Sequence, residues 1–345
     1  MQSHFWQLRQ SADTPGDADD RVVTDGLAQY ARRARLRAAV LQTADSEQWT
    51  YRAVAESVAT GTVADVRDDF IAIDSRRGTE LFTTSSATVT WLGARTALAS
   101  LRRGDTVTIR HAATDPATPG RRRAEHIWAR IGRVTGTIIT AEGRELLVDD
   151  GRPGRSPRRV VLAPAAVRPI QVRFPRLAPG YLLDVIGTRR GDDLLAVTPA
   201  TAQPPYRAGH APAPRVVSGP LPVPVSGSAV WHEPFDEPPG LLGLGYPAHD
   251  PEASQEAVAG DGPGCVRLPY LSLGSVVRVG NECTGHSAVF PVTSDGALAR
   301  QFCDRCVDCA TSPRGRVADL TMAAFVELGG NLEKGCFSAT LTVAG

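Results

Sequence analysis

GTVADVRDDFIAIDS, residues 61–75, and GTIITAEGRELLVDDG, residues 136–151, read as two versions of one unit. Each begins with Gly-Thr, alternates apolar and polar side chains, turns through a short polar stretch and alternates again. Alternation sends every second side chain to one face, so each stretch is expected to form a β-hairpin with one buried side. The likeness continues downstream: LRRGDTVTIR from Leu101 matches LAPGYLLDVIG from Leu177, and AEHIWARIG from Ala124 matches DDLLAVTPA from Asp192. Two related β units follow, about 61–132 and 133–199.

Working outward, residues 1–60 read as a helical segment and a lead-in strand. Val22, Leu27, Tyr30, Ala34 and Ala38 recur near helical spacing, with arginines between them, which predicts one amphipathic helix over 19–43. On the other side, Pro199 to Gly240 holds 11 of the 26 prolines. Such a stretch favours extended polyproline conformations, so 200–240 is expected to be a semi-rigid spacer before a C-terminal domain, 241–345. In the repeats, the order of hairpin, threonine-rich strand, L-x-x-G-D-x-V strand and closing strand resembles small OB-like β-barrels found in tandem in bacterial envelope proteins. OB-like barrels bind oligonucleotides or sugars on one face, but Phe70, Phe82, Trp91 and Trp128 read better as core, and the repeats receive no catalytic role.

Composition excludes several classes. With 38 basic and 37 acidic side chains the formal charge is +1, which marks neither a dedicated nucleic-acid binder nor an acidic solvating chain. Only Lys334 among the basic residues is lysine, so the arginine runs reflect a coding bias rather than a phosphate-binding face. No apolar run approaches the ~18 residues of a spanning helix. The opening MQSHFWQLRQ lacks a basic region followed by an apolar one, so no signal peptide is expected in the chain as given.

All six cysteines, Cys265, Cys283, Cys303, Cys306, Cys309 and Cys336, fall in the last quarter. An even number confined to one small segment points to a local disulfide framework and an oxidising compartment. The alternative is a metal site, because Cys303-x-x-Cys306-x-x-Cys309 has ligand-like spacing and Cys283 or His286 would complete it. Tetrahedral zinc sites usually combine two separated pairs, whereas this is one crowded triplet, so disulfides are favoured and no metal or other cofactor is expected. Six cysteines allow 15 pairings, and the spacing does not choose among them.

LPYLSLGSVVRVGNECTGHSAVFPVTSDGAL from Leu268, then RVADLTMAAFVELGG from Arg316, then GCFSATLTV from Gly335, resembles the double-psi β-barrel of rare lipoprotein A, barwin-like and expansin domains. The resemblance implies a six-stranded barrel with a first strand at Leu273–Val279 and a second at Ser287–Thr293. Asp319-Leu320-Thr321 would open a helix that runs through Leu328 and stops at Gly329-Gly330, as C-terminal glycines require. Family members that cleave glycans use two groove carboxylates, since a glycosidic oxygen needs a proton donor as its bond breaks. Asp319 matches the second. At the first, Ser294 stands where the carboxylate belongs and Asp295 where arginine is usual, and the histidine that often precedes the first strand is missing. Asp319 and Asp295 are thus the catalytic candidates, with Ser294, Thr293, Tyr270 and His286 as sugar contacts. Cys303 to Cys309 resembles the D-R-C-x-x-C loop of barwin-like domains, a stapled rim.

The resemblance implies an exported or cell-envelope protein that binds or remodels cell-wall polysaccharide, without efficient hydrolysis because one carboxylate is displaced. Neither nucleic acid nor membrane insertion is expected. A lytic transglycosylase or glycosidase using Asp319 as acid is the alternative, and non-glycan chemistry on a reused barrel is a third. A helix N-terminus near Asp319 would favour the ionised carboxylate and so oppose the acid role.

Overall fold

The computed structural model describes residues 57–112, 122–151, 156–208, 215–217, 224–234, 240–247, 265–269, 271, 273–294, 296, 299–309 and 311–343. The helix expected over 19–43 lies outside them, as do Tyr270 and Asp295.

The described chain is mainly β and forms three closed barrels. The first contains β1 (Val58–Arg67), β2 (Phe70–Ser75), β3 (Gly78–Thr83), β4 (Val89–Trp91), β5 (Arg95–Thr96), β6 (Thr106–His111) and β7 (Arg122–Ala129). Its strands run in the order β3-β2-β1-β6-β7, and a parallel β3–β7 pairing closes the ring. The second contains β8 (Ile131–Glu142), β9 (Glu145–Asp149), β10 (Arg158–Leu162), α1 (Val167–Arg173), β11 (Leu182–Arg190) and β12 (Asp193–Pro199). Its order, β10-β12-β11-β8-β9, repeats that of the first barrel, and parallel β10–β12 pairing corresponds to β3–β7. Both rings have five strands and close through a parallel pair. Phe82, Trp91 and Trp128 are buried, as expected of core residues.

The repeat extends to irregularities. β1 carries a bulge between Val63 and Asp65, and β8 carries one between Ile138 and Thr140, the positions that the alignment of Gly61 with Gly136 equates. A Cβ on Gly61 would lie 2.4 Å from the Asp74 carbonyl oxygen, and one on Gly136 2.0 Å from that of Asp149. The two glycines exist because a neighbouring strand crosses too close for any side chain. One match in the alignment shifts. Phe82 stands opposite Arg122 and Val160 opposite Leu194, which equates Ala124 with Ala196 rather than with Asp192. The shift is an even number of residues, so inward and outward faces are preserved.

The third barrel contains β14 (Val225–His232), β15 (Leu244–Gly245), β17 (Val276–Asn281), β18 (Ser287–Ser294), β19 (Arg316–Thr321) and β20 (Cys336–Val343). Beside it β13 (Arg215–Val217) and β16 (Arg267–Pro269) make a parallel pair, and α2 (Met322–Glu327) follows β19. The ring order is β14-β19-β15-β18-β17-β20. Exchanging the first three strands of this barrel with its last three, β14 for β18, β15 for β19 and β17 for β20, maps the ring onto itself. The two parallel pairs, β14–β19 and β15–β18, exchange as well. Ala229, Trp231, Leu244, Val277, Phe290, Leu320 and Phe337 belong to the buried cluster inside it.

The expected spacer over 200–240 is corrected here. β14, at Val225–His232, is a barrel strand hydrogen-bonded on both edges, to β19 and β20. Its eight residues, VSGSAVWH, contain no proline, which would have removed a ladder donor. The prolines flank the strand, Pro224 before it and Pro234 after it, so composition averaged over the stretch hides it. Ala200, Thr201 and Gln203 are buried too, and Gln203 donates its N–H to the Arg173 carbonyl.

Three cysteine pairs sit at disulfide distance, Cys265–Cys303, Cys283–Cys309 and Cys306–Cys336, with Cα separations of 5.5, 5.7 and 5.6 Å. The triplet expected to staple a rim therefore sends each cysteine to a different partner.

Candidate functional site

Charged groups meet where the second and third barrels join. Arg133 on β8 grips Asp184 on β11 with two bonds, Nε to Oδ1 at 2.8 Å and Nη2 to Oδ2 at 2.6 Å. Its Nη1 donates to the carbonyls of Trp231 and Gly335 in the third barrel, at 2.7 and 2.8 Å. From β19, Arg316 binds Asp184 as well and holds Asp304 through Nε at 2.9 Å. Glu233, just after β14, accepts from Arg158 at 2.8 Å, from Arg189 at 3.1 Å and from the Arg133 backbone N–H at 2.7 Å. Asp184 is completely buried. Burial opposes its charge, but Arg133 and Arg316 outweigh that and hold the carboxyl below the usual range. A charge so deep is tolerable only when paired and hydrogen-bonded, and removing one partner costs about 3–5 kcal/mol. Composition does not reveal this network, yet its signal is in the sequence: Asp184 interrupts LLDVIG and Arg133 interrupts IGRVTG, charges inside otherwise apolar strand patterns.

Asp319 belongs to the edge of this network. It lies within β19, and the residue that caps α2 is Thr321, whose hydroxyl accepts from the Ala324 N–H at 3.3 Å. The expected helix-capping role therefore passes to Thr321, two residues further on. The carboxylate of Asp319 meets His232 Nδ1 on neighbouring β14 at 3.2 Å. Burial raises its pKa, but His232, then Arg316 and Arg133, more than offset this and bring it to about 2. Such a group is ionised at neutral pH: it accepts hydrogen bonds but has no proton to give a leaving oxygen.

The backbone brings Asp319 and Ser294 to the two sides of Gly245, each paired with it across neighbouring strands. A Cβ on Gly245 would fall 2.8 Å from Ser294 Oγ, so β15 needs glycine to let β18 approach. Thr293 is buried and its hydroxyl donates to the Leu244 carbonyl at 3.3 Å, a structural use of the side chain. His286 is exposed in the β17–β18 turn, on the side where Asn281 Nδ2 bonds the Leu328 carbonyl at the end of α2. It is not beside Gly245.

A cavity of about 460 Å³ opens between the first and third barrels, within the range of ligand sites. Val107, Ile131, Leu241 and Met322 give it apolar walls, and Thr321 borders it two residues along β19 from Asp319. Beside it Glu333 of the third barrel accepts from the Trp128 indole N–H and pairs with His126 at 3.3 Å, while Ser57 bonds Glu327 of α2. Burial raises the Glu333 pKa, but the His126 and Trp128 contacts lower it below the usual range.

The structure thus defines a mainly β protein of three closed barrels, stapled by three cysteine pairs and joined through buried charge. No protein-family model matches the sequence, and no curated protein matches it. A solved structure described as a multidomain protein with nucleic acid binding domains, from Streptococcus pneumoniae, is similar at 16% identity, over 46% of this chain and 58% of that one, with a TM-score of 0.17. That degree of likeness says nothing about ligand or activity. No helix among the described residues is long and apolar enough to cross a membrane.

Proposed function

We propose that this chain is an exported cell-envelope protein whose third barrel is of the double-psi type and binds cell-wall polysaccharide without cleaving it. The observation that carries the reading is the ring order of that barrel, with its internal two-fold exchange of strands and Asp319 and Ser294 either side of Gly245. These are the positions that the resemblance to rare lipoprotein A, barwin-like and expansin domains assigns to groove carboxylates. The three disulfides support export, since such bonds persist in oxidising compartments. Binding is favoured over cleavage for two reasons. Serine replaces one carboxylate, and the other is held ionised by His232. The test is co-sedimentation of the full chain with insoluble peptidoglycan, cellulose and chitin. Depletion of the protein from solution by peptidoglycan, reversed by soluble fragments of the same wall, is expected. Retention by none of the three overturns the reading.

A further inference from the structure

The cavity between the first and third barrels has a wall that the third barrel's groove does not explain. Thr60 stands opposite Thr108 and Thr62 opposite Thr106 across the β1–β6 pair, so two adjacent rows present four threonines to one face. All four line the cavity. Thr108 is buried and spends its hydroxyl on Met322 Sδ at 3.1 Å; the hydroxyls of Thr60, Thr62 and Thr106 remain to donate and accept, which suits a partner that is itself rich in hydroxyls. Met322 and Leu241 add apolar lining beside them, which suits the carbon face of a sugar ring.

Charge narrows the partner further. Arg76, in the β2–β3 turn, lines the cavity, is exposed and has no ion-pair partner among the described residues. Arg189 lines it from the second barrel. Its Nη2 meets Glu233 at 3.1 Å. Glu233 already serves Arg158, so among the described residues this corner carries more positive than negative charge. Asp74 on the same wall offsets part of it and accepts from the Thr79 hydroxyl at 2.7 Å. Guanidinium groups lining a cavity have a carboxylate as their natural complement.

We infer that this cavity binds a carboxylate-bearing sugar unit, its acid group held by Arg76 and Arg189 and its ring hydroxyls by the threonine rows. The inference rests on the polysaccharide reading and deepens it by assigning a second contact site and an acidic sugar class.

Isothermal titration calorimetry on the full chain tests it, with trigalacturonate as acidic probe and cellotriose as neutral probe. Trigalacturonate is expected to bind at least about tenfold more tightly than cellotriose. Arg76→Ala should erase that preference, and Thr62→Trp, which fills the mouth from an exposed position, should abolish binding of both. Equal affinity for the two probes, or full binding by Thr62→Trp, overturns the inference. If peptidoglycan still retains the Thr62→Trp protein while neither probe binds the wild type, the cavity assignment falls and the polysaccharide reading stands. If nothing binds the wild type in either experiment, both fall.

Discussion

Asp319 shows how a residue chosen from sequence acquires a different chemistry from its surroundings. In the sequence it precedes a helix, and a carboxylate there suggests a cap or a groove acid. In the fold its carboxylate meets His232, 87 positions earlier by subtraction of the residue numbers, a pairing that the parallel β14–β19 contact creates. The consequence is measurable. Its folded pKa is about 2 against an ordinary 3.8, so it stabilises the fold above the ordinary value and the contribution, about 2 kcal/mol, disappears as pH falls through the folded one. Asp184 and Glu333 are lowered in the same direction and add to the effect. Urea midpoints should therefore fall gently below about pH 6.5, where burial holds the His111 pKa down, and fall steeply from about pH 4 toward 2. Asp319→Asn should remove part of that slope. Midpoints that rise on acidification would contradict the pairing.

Among the elements, the repeated hairpins were the most legible part of the chain, because period-two alternation survives even where residue identities differ. The bulges and the close approaches at Gly61 and Gly136 fall at equivalent places in that alignment, but alternation alone does not announce them. Less legible was β14: its Gly-Ser-rich sequence lies between prolines, and its burial is imposed by partners more than 80 residues away, Arg316–Thr321 and Cys336–Val343, by subtraction. Long-range pairing of this kind leaves no local pattern. The close approach at Gly136 gives a direct test. Gly136→Ala would set a methyl 2.0 Å from the Asp149 carbonyl oxygen and force β8 and β9 apart, at about 1–3 kcal/mol. Gly280→Ala on β17, where the nearest atom would be 3.8 Å away, should leave the urea midpoint almost unchanged. Equal effects of the two substitutions would show that β8 is not seated as described.

At the scale of the whole molecule, the barrels do not hang as beads on a spacer. Val58, Trp91, Trp128 and Ile131 share one buried cluster with Trp231, Leu320 and Phe325 of the third barrel. The charges at Arg133, Asp184 and Arg316 join the second barrel to the same body. The cysteine pairs then close loops of 26 to 38 residues around the third barrel's rim, each worth about 3–4 kcal/mol in the chain-entropy picture. Under the proposed reading, a compact body with an ionised carboxylate holds a polymer rather than turning it over. The most direct measurement is mass spectrometry of the soluble fraction after prolonged incubation of the purified chain with insoluble peptidoglycan at neutral pH. The account predicts protein depleted onto the wall and no anhydro-sugar or new reducing-end fragments above the protein-free control. Accumulation of such fragments with time, abolished by Asp319→Asn, would contradict it.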